Sequence, residues 1–96
     1  MKIEALKSQI EALKPALRER FKVETIGIFG SYVRGEQKRK SDLDVLVEFS
    51  EFPSLFEFVE LEDFLSQKLG LKVDLVMKDA LKPRIKDNIL KETVLF

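Results

Sequence analysis

Residues 30–49 read GSYVRGEQKRKSDLDVLVEF. The apolar end of this stretch predicts a β-strand over residues 42–49, yet Asp42 and Asp44 stand at its head. Aspartate is among the residues least suited to strands, and a carboxylate at the edge of a core costs stability unless something compensates for it. The Gly30-Ser31 pair ends another apolar run, VETIGIF, which predicts a strand over residues 23–29 followed by a short helical turn.

Helices flank these strands in the sequence. An apolar stripe with three- and four-residue spacing predicts a helix over residues 2–20, in which Pro15 should cause a kink or a new first turn. Ser54 and Glu57 fit a capping box at the start of a second helix, which Gly70 ends. The predicted buried face of this second helix comprises Leu55, Phe58, Leu61, Phe64, Leu65 and Leu69.

The C-terminal part predicts one more strand and one more helix. LKVDLVM at residues 71–77 reads as the strand. Asp79 can cap the helix that follows, and this helix carries Leu81, Ile85 and Ile89. The tail ETVLF, residues 92–96, predicts a short last strand.

The connections between the strands predict a mixed sheet. The second and third strands are joined through a helix, which makes them parallel neighbours, whereas the loop between the first two favours antiparallel pairing. We therefore expect one α/β (α+β) domain over residues 1–96, a small mixed β-sheet with flanking helices. The first helix either packs on this sheet or contacts a second copy or another partner.

The composition excludes several classes of function. The chain has neither cysteine nor histidine, which rules out thiol chemistry and removes the commonest general base and transition-metal ligand. Seventeen basic residues balance seventeen acidic ones, which argues against nucleic acid as a partner. The sequence shows neither a signal peptide nor a membrane span, so we expect a cytoplasmic protein.

Three aspartates and the Gly-Ser turn should meet at one edge of the sheet. Antiparallel pairing puts Gly30-Ser31 beside Asp42 and Asp44. The parallel third strand brings Asp74 to the same edge. Three clustered carboxylates would repel each other unless a cation neutralised them, and hard oxygen ligands suit magnesium or manganese.

The Gly-Ser turn supplies a phosphate-binding half. Glycine lets the backbone approach a ligand closely, the N–H groups of the following turn attract phosphate, and the Ser31 hydroxyl can donate a further hydrogen bond. Magnesium carboxylates beside such a turn describe a nucleoside-triphosphate site, and the fitting reaction is two-metal transfer of a nucleotidyl group to a hydroxyl. Arg34 either binds phosphate or holds the loop through a carboxylate. The loop cations either stay solvated or contact a triphosphate or an RNA end; they are Lys38, Arg39 and Lys40.

Three segments together resemble the minimal nucleotidyltransferases of the DNA polymerase β superfamily. They are GSYVRG at residues 30–35, SDLDVLVEF at residues 41–49 and KVDLVM at residues 72–77. The family pattern has Gly-Ser-x-x-Arg-Gly, then Ser-Asp-x-Asp before an apolar strand, then a third aspartate in a later strand. The resemblance covers nearly the whole chain.

The resemblance also implies roles for individual residues. Asp42, Asp44 and Asp74 would be catalytic and would hold Mg²⁺, with two ions expected, and Asp74 would also help to activate the hydroxyl. Gly35 completes the first motif. The implied nucleotide-binding residues are Gly30, Ser31 and Arg34.

Stand-alone members of this family are similar to antitoxins that are paired with a HEPN-domain ribonuclease toxin encoded nearby. The resemblance implies that the chain transfers AMP from ATP to a tyrosine of that toxin and so silences it. Two alternatives stay open: a non-catalytic antitoxin that neutralises its partner by binding, and nucleotidyl transfer to RNA or to a small molecule. A homo-oligomer is also compatible with the sequence.

Overall fold

The computed structural model describes residues 3–96, and its elements follow the predicted order. The predicted first helix begins at residue 2, which lies outside the described residues. The helices are α1 (Ile3–Phe21), α2 (Ser31–Arg34), α3 (Leu55–Leu69) and α4 (Pro83–Glu92). The strands are β1 (Val23–Phe29), β2 (Leu43–Phe49), β3 (Val73–Met77) and β4 (Val94–Leu95), and a 3₁₀ turn spans Lys78–Ala80.

The strands form one mixed sheet in the order β3-β2-β1-β4. β1 runs antiparallel to β2, and β2 runs parallel to β3, as the lengths of their connections predict. The short C-terminal strand is also confirmed, and it pairs antiparallel with the free edge of β1. The predicted α/β fold with a small mixed sheet and flanking helices is therefore confirmed.

The side chains of β2 alternate between the core and the opposite face of the sheet. Leu43, Val45 and Val47 are at most 1% exposed. Helices α1 and α3 complete this core with their own apolar stripes, whose fully or almost fully buried members are Leu6, Ile10, Leu17, Leu61, Leu65 and Leu69. Each such side chain contributes about 1.5–3 kcal/mol by burial. The stripe of the first helix therefore packs within this chain.

The predicted ends of α3 are confirmed. The Ser54 hydroxyl accepts a hydrogen bond from the Glu57 N–H at 3.1 Å, and the Glu57 carboxylate accepts one from the Ser54 N–H at 2.9 Å. This reciprocal pair satisfies two N–H groups that the first turn of a helix leaves free. Gly70 ends the helix in the left-handed conformation, with φ 68°.

Within α1 and α3, two details differ from the sequence predictions. Of the two outcomes predicted at Pro15, a kink or a new first turn, the new first turn does not occur, because α1 runs on through Pro15; the ring is exposed, so water can reach the carbonyl that loses its N–H partner. Leu55 does not belong to the buried face of α3 and is 75% exposed. Leu55 precedes Leu61 by two intervals of three residues, and each interval is shorter than the 3.6 residues of a helical turn. Leu55 is therefore rotated about the helix axis away from the stripe centred on Leu61 and Leu65.

The start of the last helix also differs from the prediction. Asp79 does not cap it, because residues 78–80 form the 3₁₀ turn and α4 begins only at Pro83, whose fixed φ suits a first turn. Leu81 accordingly precedes the helix. The strand ends shift by a residue or two: β2 begins at Leu43, directly after Asp42, and β3 begins at Val73 instead of residue 71. Of the helices between residues 3 and 96, none has the length and apolar character of a membrane span.

Candidate active site

Asp44 lies in the middle of the edge where β1 ends and where β2 and β3 begin. In the sheet register it stands opposite Phe29 of β1 on one side and Asp74 of β3 on the other. Gly30 directly follows Phe29, so the antiparallel pairing carries the Gly-Ser turn to the head of β2. The structure therefore brings Gly30, Asp44 and Asp74 to one edge, as the strand order predicts.

Gly30 is in direct contact with the carboxylate of Asp44. Its backbone has φ 84°, a conformation that side chains of L-residues rarely adopt. A Cβ atom built on Gly30 would lie 2.1 Å from Oδ2 of Asp44, well inside van der Waals contact. The reason predicted from the sequence for a glycine at this position is the close approach of the backbone to a ligand. The structure adds a second reason, because only glycine leaves room for Asp44.

The three aspartates differ in their exposure. Asp44 and Asp42 are half-buried, whereas Asp74 is exposed. Asp42 forms a long ion pair with Lys72, whose Nζ lies 4.0 Å from Oδ2 of Asp42. The Lys72 side chain is 82% exposed, so solvent screens this pair and it contributes little.

The electrostatic environment raises the pKa of Asp44 to about 6. Burial is the largest cause, and the negative charges of Asp74 and Asp42 add to it, while the Arg34 guanidinium acts in the opposite direction. The carboxylate at the centre of the edge therefore lacks enough positive charge from the protein itself. A cation bound beside it would supply that charge.

Helix α3 fixes the strand that carries Asp74. The N–H of Val73 donates to the Ser66 hydroxyl at 3.1 Å, and the N–H of Leu75 donates to the Glu62 carboxylate at 3.0 Å. These bonds satisfy the outward N–H groups of an edge strand on both sides of Asp74. The position of Asp74 relative to Asp44 is thus held by the sheet on one side and by the helix on the other.

Arg34 pairs with carboxylates in this structure. Its Nη1 donates to Oε1 of Glu92 at 2.7 Å, and its Nε contacts Oε2 of Glu36 at 3.3 Å. The same Glu92 oxygen accepts a hydrogen bond from the N–H of Gly30. Of the two roles that the sequence leaves open for Arg34, the structure shows the carboxylate contact.

Sequence reasoning missed Glu92. The residue ends α4, 62 positions away from Gly30 along the chain. The signal that could have found it is the predicted C-terminal strand. Once β4 is paired antiparallel with β1, with Val94 opposite Ile28, the chain two residues before Val94 comes level with Gly30.

The loop between α2 and β2 ends in a tight turn just before Asp42. The N–H of Lys38 donates to the Ser41 hydroxyl at 2.7 Å, and the N–H of Ser41 donates to the Lys38 carbonyl at 3.0 Å. Arg39 and Lys40 are exposed at its tip. Ser31, the first residue of α2, is half-buried, and its carbonyl accepts the N–H of Glu36 at 2.9 Å.

The donor set fits a hard divalent cation in its chemistry. The three aspartates at this edge provide oxygen ligands, which Mg²⁺ prefers, and burial, together with the charges of Asp74 and Asp42, raises the pKa of Asp44. Within residues 3–96, however, no three acidic side chains converge closely enough to form a ready metal site. The edge therefore carries the ligands and the charge for Mg²⁺ without a preformed cage.

Comparison with known proteins adds a family to this geometry. The pattern of the nucleotidyltransferase domain family matches residues 10–96. The protein adenylyltransferase MntA of Thermococcus cleftensis is 55% identical over 92 residues, which are 96% of this chain and 93% of that protein.

Several solved structures share the fold. One, described as a minimal nucleotidyltransferase, superposes with a TM-score of 0.81 at 36% identity, covering 98% of this chain and 95% of the other. The second, a toxin-antitoxin crystal structure with AMP-PNP, superposes with a TM-score of 0.75 at 28% identity, covering 92% of this chain and 69% of the other.

Proposed function

Since this chain belongs to the nucleotidyltransferase domain family, we propose that it is an antitoxin that transfers AMP from ATP to a tyrosine of a HEPN-domain ribonuclease toxin. Transfer of a nucleotidyl group is the activity of the family. The choice of AMP is supported by the adenylyltransferase relative that is 55% identical. The choice of a toxin as partner is supported by the toxin-antitoxin structure with AMP-PNP and by the family resemblance of the motifs.

One observation carries the proposal within the structure. The Asp44 carboxylate is seated on Gly30, in register with Asp74 and beside the turn that leads to Arg34. This arrangement combines acidic ligands for a metal with backbone and guanidinium donors for phosphate. A triphosphate bound there would lie between the two sets of groups.

The residues divide the reaction among them. Gly30, Ser31 and Arg34 bind the phosphates and orient the α-phosphorus. Asp42, Asp44 and Asp74 would hold Mg²⁺, which would neutralise charge on the triphosphate and lower the pKa of the attacking hydroxyl. The tyrosine oxygen forms a bond to the α-phosphorus, the bond to the bridging oxygen breaks, and pyrophosphate leaves. Asp74, the most exposed of the three aspartates, accepts the hydroxyl proton.

The acceptor comes from the partner protein. Asp74 is exposed at the edge, so a tyrosine on another protein can reach it. Binding of the toxin therefore supplies both the acceptor and its orientation.

The test is an intact-mass spectrum of the HEPN protein encoded beside this chain, after incubation with the chain, ATP and Mg²⁺. We expect added AMP on a tyrosine, no addition with Asp44→Asn, and no addition in EDTA until excess Mg²⁺ is supplied. An unmodified HEPN protein that still co-purifies with the chain would contradict transfer and favour an antitoxin that acts by binding. Normal transfer by Asp44→Asn would contradict the assignment of the site.

A further inference from the structure

The Glu92 carboxylate makes the contacts that a bound phosphate would make. Its Oε1 accepts hydrogen bonds from the N–H of Gly30 and from Nη1 of Arg34, the latter at 2.7 Å. Both donors belong to the set that we assign to the triphosphate. Carboxylate and phosphate oxygens accept the same charge-assisted hydrogen bonds. One oxygen of Glu92 thus stands where two phosphate-binding donors converge.

The surrounding charge makes this position unfavourable for an additional anion. Both carboxylates lie against Gly30: its N–H donates to Oε1 of Glu92, and a Cβ built on it would lie 2.1 Å from Oδ2 of Asp44. Glu92 is held there by its two donors, against repulsion from Asp44. A triphosphate that bound the same N–H would meet the Glu92 charge at hydrogen-bonding distance. The two anions cannot share the single N–H of Gly30.

The backbone at Glu92 is fixed, but its side chain has a way out. Thr93 holds the end of α4 through its N–H and its hydroxyl, which donate to the Ile89 carbonyl at 3.0 and 2.6 Å. In the chain, the next residue after Thr93 is Val94, where the pairing of β4 with β1 begins. The Glu92 side chain is 27% exposed, so the carboxylate can turn toward solvent while the helix and the strand stay in place.

We propose that Glu92 occupies the phosphate-binding donors of the nucleotide-free protein and competes with the triphosphate for them. The inference rests on the proposed function, because it takes Gly30 and Arg34 as triphosphate ligands. Glu92 is a positioning residue: it orders the turn and the guanidinium while no nucleotide is bound, and it lowers nucleotide affinity because it must be displaced. Loss of one charge-assisted contact of this kind corresponds to about a tenfold change in affinity.

The test compares binding of Mg²⁺ with inorganic triphosphate, and of Mg²⁺ with AMP-PNP, by isothermal titration calorimetry. Glu92→Gln removes the competing charge in an isosteric side chain, and Glu92→Asp keeps the charge but draws it back by one methylene group. Glu36→Gln is the matched control, because it removes the other carboxylate that contacts Arg34, at 3.3 Å on the exposed side. We expect about tenfold tighter binding by Glu92→Gln, a smaller gain by Glu92→Asp and little change with Glu36→Gln.

A thermal unfolding series provides a readout that is independent of catalysis. Without ligand, Glu92→Gln should unfold at a lower temperature than the wild type, and saturating triphosphate should close this gap. Equal or weaker binding by Glu92→Gln would overturn the inference while leaving the proposed function intact. A wild-type protein that binds neither probe would overturn both.

Discussion

At the scale of single residues, Gly30 is constrained both by its backbone conformation and by its neighbour. Its φ of 84° disfavours any side chain, and a Cβ would lie 2.1 Å from Oδ2 of Asp44. We expect Gly30→Ala to displace the Asp44 carboxylate, to abolish nucleotidyl transfer and to lower the free energy of unfolding by about 1–3 kcal/mol. Denaturant unfolding and the mass-spectrometric transfer assay measure the two effects.

The matched control for Gly30→Ala is Gly70→Ala. Gly70 has a similar φ of 68°, but a Cβ there would meet open space. Only the conformational cost should appear, about 1 kcal/mol, with transfer unchanged. If the two variants lost the same stability and both stayed active, the contact between Gly30 and Asp44 would not matter for the site.

The raised pKa of Asp44 predicts how the stability of the metal-free protein depends on pH. Folding raises this pKa from 3.8 to about 6, so the folded state binds the proton more tightly than the unfolded chain does. The resulting stabilisation is fully present below about pH 4 and is lost as the pH rises through about 6. Asp44→Asn cannot lose a proton, so its stability relative to wild type should be greater at neutral pH than at about pH 4.

Melting temperatures of the wild type and of Asp44→Asn in EDTA, measured across this pH range, check the prediction. Because other titrating groups are common to both proteins, the difference between the two curves isolates Asp44. A difference that stays constant with pH would show that Asp44 titrates alike in the folded and unfolded states.

The sequence predicts the site residues that the order of the strands brings together. It does not predict Glu92, whose position depends on the pairing of β4. Asp44 and Asp74 meet because two parallel strands begin at the same edge, which the length of the connection between them already indicates. Glu92 reaches Gly30 because β4 pairs with the free edge of β1. No local pattern specifies that choice.

At the scale of elements, α3 separates buried from exposed leucines within two turns. Leu61 is 0% exposed, so Leu61→Ala should lower the free energy of unfolding by about 2–5 kcal/mol. Leu55 is 75% exposed, so Leu55→Ala should change it by less than about 0.5 kcal/mol. Urea unfolding of both variants measures the pair. A large loss for Leu55→Ala would place the first turn of α3 in a packed contact.

The success of the element predictions depends on whether the deciding signals are local. The capping box of Ser54 and Glu57 and the left-handed Gly70 act within one turn, so the sequence locates α3 correctly. The chain forms a 3₁₀ turn between β3 and Pro83, so α4 begins at Pro83. In the sequence, Asp79 as an N-cap and Pro83 as a first-turn residue are equally good signals for the start of this helix. Pro15 is tolerated within α1 because its exposed position lets water replace a partner, which the sequence alone does not reveal.

At the scale of the whole molecule, the candidate site depends on the C-terminus of the chain. β4 closes the sheet beside β1, with Leu95 opposite Gly27 and with the N–H of Phe96 donating to the Ile26 carbonyl at 3.0 Å. This short strand directly follows Glu92 and Thr93. The pairing therefore connects residues 94–96 to the turn at Gly30. A displacement of β4 should thus alter the contacts of this turn.

Gly27→Ala tests that connection without touching the site. A Cβ on Gly27 would lie 2.7 Å from Cγ2 of Thr93 and 2.9 Å from the Val94 carbonyl oxygen. Since β1 is held between two strands and β4 is only two residues long, β4 should give way. The shift should draw Glu92 from the Gly30 N–H, so triphosphate affinity should rise, as for Glu92→Gln, while the stability falls by about 1–3 kcal/mol.

Hydrogen-exchange mass spectrometry of the C-terminal peptide and calorimetry with Mg²⁺ and inorganic triphosphate check this prediction together. Val94→Ala is the control, because it trims a side chain that is 37% exposed and leaves the backbone pairing intact, so exchange and affinity should stay at wild-type values. Faster exchange in Gly27→Ala with unchanged affinity would mean that Glu92 reaches Gly30 without support from β4. Unchanged exchange would mean that β1 yields instead, and then the position of Glu92 would be set by α4 alone.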